Sequence, residues 1–226
     1  VFYQRINLDE YPLLFGTDSV VSKKGDIYAS KIIGITNYQE LKNVATLTNS
    51  GSYTYSQVQL LNDIDMNNYV NGETWTPIGT SSYKFTASFY GNNHTIYNMV
   101  IDAHNKKYNG FIGYSTNTIR NVKIDKSCKI FINTSTLYTY LYIGLLVGLC
   151  DYTIYYCDVK GYIDVITKSP GIEIGGLSGH SYNIIESCNV EAIITVEAIN
   201  TCRIGGFSQY HTSRINYCNV HSQINV

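Results

Sequence analysis

A glycine and apolar motif recurs four times in the C-terminal half of this 226-residue chain. The copies begin at Asn109, Gly144, Gly175 and Gly205, so the intervals between them are 35, 31 and 30 residues. Ten residues after each start stands an isoleucine, which gives a second aligned column: Ile119, Ile154, Ile185 and Ile215. Spacing is therefore fixed within a copy and variable between copies. That behaviour predicts a solenoid, whose strands keep register while its loops differ in length.

A third column follows three residues after each isoleucine. An earlier half-copy, with Ile96 and Ile101, is assigned to the same columns. The column predicts an apolar ladder in the core, made of Met99, Val122, Cys157, Cys188 and Cys218. Parallel, in-register side chains point the same way rather than towards each other. We therefore expect these cysteines to be free, buried thiols that act as small apolar side chains, and not disulfides.

Short stretches between the motifs alternate apolar and polar residues, as a half-buried strand does. The clearest are IDV at 163–165, ITV at 194–196 and INV at 224–226. Such strands cannot bury an apolar face alone, but stacked coils bury it continuously. We predict an all-β fold, a parallel β-helix, from about residue 50 to residue 226.

The N-terminal part follows a different pattern. Residues 35–48 predict one helix, with Thr36 and Gln39 as a capping box. Its apolar face would cover the open end of the first coil, as solenoid termini require, and consists of Leu41, Val44, Ala45 and Thr48. Residues 1–30 do not fit this scheme and are interpreted as a β-hairpin or the tail of a preceding module. The predicted solenoid domain is therefore 31–226.

Several segments together resemble a known repeat. They are GGLSG at 175–179 with IESCNV at 185–190, and the preceding LLNDIDM at 60–66, WTPIG at 75–79 and FYGNNHTI at 89–96. The set resembles the GLUG repeat of bacterial surface proteins. The resemblance implies a right-handed parallel β-helix on secreted or cell-surface proteins, either as adhesin-like stalks or beside immunoglobulin-cleaving metalloproteases. It implies no catalytic residue. Tyr90, Ala87 and Gln209 depart from the repeat pattern.

Composition excludes several partners. Charged residues make up 15% of the chain, the formal net charge is −1 and the pI is about 6.6, so the basic footprint of a nucleic-acid binder is absent. No apolar run approaches the roughly 20 residues that a membrane-spanning helix needs, and we expect no membrane insertion. The cysteines lack the CxxC spacing of zinc sites, and no cofactor is expected.

Tyrosine is common, with 22 residues, and six of these crowd one stretch of the chain. Amphipathic aromatic side chains on a rigid surface suit contact with sugars or proteins. The candidate binding surface is therefore Tyr138, Tyr140, Tyr142, Tyr152, Tyr155 and Tyr156. The alternative is that these rings only stack along the coils. His180 and His211 follow the third and fourth motifs, and could lie together as a metal or proton-transfer site.

These observations favour a non-enzymatic, extracellular or cell-surface module. It would act as a rigid, adhesin-like spacer that presents a lateral surface to a protein or glycan. Further copies or modules of the same protein are the other expected partners, through end-to-end assembly. A carbohydrate-active β-helix enzyme, a polysaccharide lyase or hydrolase, remains an alternative, although its clustered carboxylates are not evident in the sequence. A substrate-recognition module attached to a secreted protease is a further alternative.

Overall fold

A computed structural model of the chain describes residues 32–68, 74–102, 106–198, 200–211 and 213–226. The predicted hairpin or module tail at 1–30 lies outside the described residues. Within these ranges there is one α-helix, α1 (Tyr38–Asn49), and a short 3-10 helix at Met66–Asn68.

The strands in the first half of the described chain are short. They are β1 (Ile32–Ile35), β2 (Gln57–Leu60), β3 (Ile64–Asp65), β4 (Ser88–Tyr90), β5 (Thr95–Tyr97), β6 (Val100–Asp102), β7 (Tyr108–Asn109), β8 (Ile112–Ser115), β9 (Ile119–Arg120), β10 (Lys123–Ile124) and β11 (Lys129–Thr134). The second half repeats four strand types, and its longest strands have ten residues. They are β12 (Leu141–Gly144), β13 (Val147–Cys150), β14 (Ile154–Tyr155), β15 (Asp158–Thr167), β16 (Gly171–Gly175), β17 (Ser178–Ser181), β18 (Ile185–Glu186), β19 (Asn189–Ala198), β20 (Thr201–Gly205), β21 (Ser208–His211), β22 (Ile215–Asn216) and β23 (Asn219–Asn225).

Four parallel sheets run along the molecule, and each coil contributes strands to them. One has the order β1-β2-β4-β9-β14-β18-β22, and two shorter ones have the orders β20-β16-β12-β7 and β21-β17-β13-β8. The fourth has the order β23-β19-β15-β10-β5-β3, with β11 pairing β15 and β6. The predicted parallel β-solenoid with one N-terminal helix is confirmed, with about five stacked coils.

Helix α1 lies between β1 and β2, which pair in parallel. Its buried residues are those predicted from the helical spacing, and its apolar members join the single core cluster: Leu41, Val44, Ala45 and Thr48. The predicted capping box is displaced by one residue. Asn37 is the N-cap and accepts a hydrogen bond from Glu40 N at 3.0 Å, while the Glu40 carboxylate accepts from Thr36 N at 2.6 Å. Glu40 lies at the third helical position, where a capping carboxylate reaches back to the preceding backbone.

The isoleucine column is stacked in register, because Ile154 pairs with both Ile119 and Ile185. The half-copy was assigned to the wrong columns, however. Ile96 pairs with Ile124, and the residue beside Ile119 is Phe89. The physical reason is a turn at residues 92–93, where Asn92 and Asn93 adopt left-handed backbone conformations. This turn places two extra residues between the strands of that coil.

Several coils turn a corner at a residue with a left-handed backbone conformation. This residue directly precedes the third column of the repeat. The φ angles are +55° at Asn121, +52° at Tyr156, +52° at Ser187 and +51° at Tyr217. Asparagine tolerates this region, but tyrosine and serine adopt it at a cost. The corner is therefore imposed by the stacking of the coils and not by the local sequence.

Burial falls towards the last coil. Ile154 and Ile185 have no exposed surface, whereas Ile215, in the same column, is 43% exposed. Strand β22 pairs with β18 on one side and stands at the end of its sheet. One column of identical side chains therefore spans both fully buried and half-exposed positions.

Candidate lateral binding face

An outward-facing column crosses the sheet of β7, β12, β16 and β20. The paired positions are Tyr108, Tyr142, Glu173 and Arg203. On β12, the flanking Leu141 and Ile143 are fully buried in the core, and Tyr142 between them is half-buried. Strand alternation thus turns this column away from the core. Successive members lie one strand spacing apart, about 4.8 Å.

Tyrosine rings stack along this column. The ring centroids of Tyr108 and Tyr142 are 5.4 Å apart with an interplanar angle of 6°, and Tyr140 stacks on Tyr142 at 6.2 Å. Lys107 Nζ lies 5.3 Å and 5.5 Å from the centroids of Tyr108 and Tyr142. Such spacing gives a cation–π attraction. We call this surface the tyrosine face, defined as Tyr108, Tyr140, Tyr142, His180 and Tyr182.

A buried carboxylate, Glu173, pairs with His180 of the tyrosine face. His180 Nδ1 lies 2.6 Å from Glu173 Oε2 and donates to it, and the two side chains are only 8% and 5% exposed. Arg203 Nη1 donates to the other carboxylate oxygen at 3.4 Å. The His180 ring meets the edge of Tyr142 at 5.7 Å and contacts the Tyr182 ring at 4.3 Å. The buried charge of Glu173 is therefore paired, and this pairing fixes the ring positions above it.

Burial also shapes the titration of the face. Desolvation, with a smaller contribution from the nearby Glu173 carboxylate, raises the pKa of Tyr142 to about 12. At neutral pH this hydroxyl is therefore protonated and able to donate. On the neighbouring strand, burial raises the pKa of Tyr114, whose hydroxyl donates to Asp151 Oδ2 at 3.0 Å. Lys84 Nζ lies 4.4 Å from the centroid of that ring.

Two cavities open beside the tyrosine face. One, of about 310 Å³, is lined by Lys106, Lys107, Tyr108 and Tyr138 together with residues 76–81. The other has a volume of about 280 Å³, and its lining includes Tyr140, Thr201 and Arg203. Both volumes are close to the lower end of the range for small-molecule sites. The surface around the tyrosine face is therefore concave in two places, and a lysine or arginine side chain lines each cavity.

The six tyrosines of the predicted surface fall into two groups. Tyr140 and Tyr142 are on the tyrosine face, and Tyr138 lines the adjoining cavity. The second group is at β14 and its flanking turns, in the seven-stranded sheet: Tyr152, Tyr155 and Tyr156. Tyr155 and Tyr156 stack on each other at 6.2 Å. The predicted surface is therefore divided between two sheets.

Sequence reasoning missed Tyr108, Glu173 and Arg203, although a signal was present. Each of them, like Tyr142, stands two residues before a glycine of its motif: Gly110, Gly144, Gly175 and Gly205. The sequence alignment began the first copy one residue too early, because Asn109 pairs with Ile143 and not with Gly144. The two histidines lie on adjacent strands but not at paired positions, because His211 pairs with Ser181 and the backbone partner of His180 is Tyr210.

The cysteine column is continuous from Val122 through Cys157 and Cys188 to Cys218. The Cys157 amide lies 3.5 Å from Cys188 Sγ, and the Cys188 amide lies 3.4 Å from Cys218 Sγ. Met99 does not belong to this column, because pairing of Val100 with Lys129 places it beside Cys128, whose Sγ accepts from Met99 N at 3.4 Å. The misassignment follows from the same two-residue turn at 92–93. All six cysteines lie within the described ranges and are free.

The described residues contain neither a metal-binding cluster nor a membrane-spanning helix. In these ranges, no group of three or more His, Cys, Asp or Glu side chains is arranged to hold a metal ion. The one helix among them is too short and too polar to cross a membrane. These residues define a parallel β-solenoid with an aromatic lateral face.

No protein-family model matches the chain, and no curated protein matches it. The chain is similar to a solved structure, a protein from Bacteroides ovatus described as a putative immunoglobulin A1 protease, with 16% identity and a TM-score of 0.45. The match covers 86% of this chain and 77% of that chain. The resemblance to the GLUG repeat rests on the sequence motifs.

Proposed function

We propose that this chain is a non-enzymatic, extracellular or cell-surface module that binds a glycan or protein through its tyrosine face. The observation that carries the proposal is the stack of Tyr108, Tyr142 and Tyr140, held at centroid distances of 5.4 and 6.2 Å on one sheet. Stacked, partly exposed tyrosines offer amphipathic contact area with few rotatable bonds to immobilise.

The solenoid beneath the face supports a binding role. Leu141 and Ile143 anchor β12 in the core, and the Glu173–His180 pair holds the rings from the side. A site whose side chains are already ordered loses little entropy on binding, which favours affinity. The same stacked coils would serve as a stiff spacer, and further modules or copies at their ends are the other partners we propose.

The buried pair also argues against a catalytic role for this face. A general acid or base must come within hydrogen-bonding distance of its substrate. Glu173 already accepts from His180 and Arg203, and its side chain is only 5% exposed. A carbohydrate-active enzyme and a protease-attached recognition module remain alternatives. When incubated with a panel of polysaccharides, an enzyme would release hydrolysis or elimination products. A recognition module would bind its partner without releasing any product.

The direct test is binding to a glycan array and to a panel of extracellular-matrix proteins. We expect Tyr140→Ala to weaken binding about tenfold, the effect of losing one well-placed aromatic contact. Tyr152→Ala is the matched control, since Tyr152 is 47% exposed, comparable to Tyr140 at 38%, but lies in the turn between β13 and β14. Equal losses in both variants, or unchanged binding of Tyr140→Ala, would contradict the assignment of the face.

A further inference from the structure

The cavity beside Lys106 has walls that are fixed before any ligand binds. Asn49, the last residue of α1, donates from Nδ2 to Pro77 O at 3.0 Å and accepts from Gly79 N at 2.8 Å. Gly79 has a φ of +88°, and a Cβ there would lie 2.5 Å from Tyr114 O. The loop is thus held by the helix on one side and by the solenoid on the other. This cavity is preorganised, as small-molecule sites usually are.

The cavity carries positive charge that its described lining does not compensate. Lys106 and Lys107 line it, and no carboxylate is among its described lining residues. Lys106 Nζ donates to Thr76 Oγ1 at 3.2 Å, its one side-chain hydrogen bond in the described part of the chain. Burial lowers the pKa of Lys106. An ammonium has three donors, so two remain for an anion.

The remaining lining suits a sugar more than a bare anion. Tyr108 and Tyr138 provide aromatic surface, and Thr80 and Ser81 provide hydroxyl groups. Aromatic rings pack against the apolar faces of sugar rings, while hydroxyl groups exchange hydrogen bonds with sugar hydroxyls. The Tyr108 ring also belongs to the tyrosine face, so a chain bound on that face would reach the cavity.

We propose that this cavity is the subsite for an anionic sugar unit, a uronate or a sulfate ester, of a glycan that lies along the tyrosine face. The inference rests on the proposed function and names its ligand class. Lys106 and Lys107 would contact the carboxylate or sulfate, and Tyr108 would pack on the ring that carries it. Glu173, the nearest carboxylate of the column, does not oppose the anion because it is paired with His180 and Arg203.

The test compares glycans that differ only in charge. Binding of the full chain is measured by calorimetry with oligogalacturonates, with their methyl-esterified forms, and with sulfated and unsulfated galactan oligosaccharides. We expect the charged member of at least one pair to bind about tenfold or more tightly, the typical value of one charged hydrogen bond. The double variant Lys106→Met with Lys107→Met should remove that preference. Lys126→Met, in the exposed turn between β10 and β11, should retain the preference for the charged glycan.

The outcomes separate the two proposals. A preference for a uronate or for a sulfate identifies which anion the subsite takes, and weakening by added salt supports a charge contact. Equal affinity for charged and neutral members, reduced by Tyr140→Ala, would overturn the anionic subsite and leave the tyrosine face as the binding surface. Binding that neither Tyr140→Ala nor the lysine variants reduce would overturn both. A charge preference that survives the lysine variant would overturn the subsite alone.

Discussion

The isoleucine column offers a controlled measurement of how burial stabilises this solenoid. Ile154 and Ile215 occupy the same column of the repeat but differ in exposure, at 0% and 43%, because Ile154 has a paired strand on both sides and Ile215 has one on a single side. In Ile154→Ala, removal of three buried carbons costs about 2.5 kcal/mol, at roughly 0.8 kcal/mol each. The cavity adds about 1–2 kcal/mol because stacked coils on both sides prevent collapse. We expect a total loss of about 4 kcal/mol.

Ile215→Ala removes the same atoms from a side chain that is little more than half buried. The loss of transfer free energy is then about 1.5 kcal/mol, with little cavity contribution because solvent or neighbouring side chains fill the space. Urea unfolding measures both values, followed by far-UV circular dichroism and by fluorescence of Trp75, the single tryptophan, which is 2% exposed and stacked on Phe111. Equal losses of unfolding free energy in the two variants would refute the reasoning from burial.

Three further predictions concern thiols, alkaline pH and the corner residues. Burial raises the pKa of Cys150 and of Tyr55 to about 12. The free energy of unfolding should therefore be constant below about pH 8.5 and fall by on the order of 3 kcal/mol by pH 11, because thiols and phenols of the unfolded chain ionise over this range. A melting temperature constant up to pH 11 would contradict this linkage. Tyr156→Asn, at φ +52°, should raise the unfolding free energy by about 0.5–1 kcal/mol, while Tyr152→Asn should not; equal effects would exclude the backbone explanation. A thiol reagent should react with at most two cysteines before unfolding, the half-buried Cys202 and Cys218, and rapid modification of more would disprove burial of the others: Cys128, Cys150, Cys157 and Cys188.

The repeat columns were predictable because they depend on a local rule. Fixed spacing from each motif start to its isoleucine reflects the strand and turn lengths within one coil, and residues close together in the sequence determine these lengths. The buried face of α1 was predictable for the same reason, since helical spacing alone places Leu41, Val44 and Ala45 together. The half-copy at Ile96 was assigned to the wrong columns because Asn92 and Asn93 insert a turn that spacing alone does not reveal.

The candidate site was only partly predictable. Local crowding identified Tyr140 and Tyr142, but it also grouped them with Tyr155, which lies on a different sheet. The partners of Tyr142 are Tyr108 and Glu173, each more than thirty residues away in sequence and one coil away in space. A repeat alignment extended two residues before each shared glycine would have found this column, because in-register stacking makes equivalent positions neighbours.

The sequence alone determined that the chain must stack, because its short strands bury an apolar face only against copies of themselves. It also determined which side chains form the interior, since alternation of apolar and polar residues assigns each to one side. Only the tertiary structure decided which exterior side chains meet. The pairing of Glu173 with His180 joins strands of two different sheets, and the sharpness of the corner between those sheets depends on how all the coils pack together.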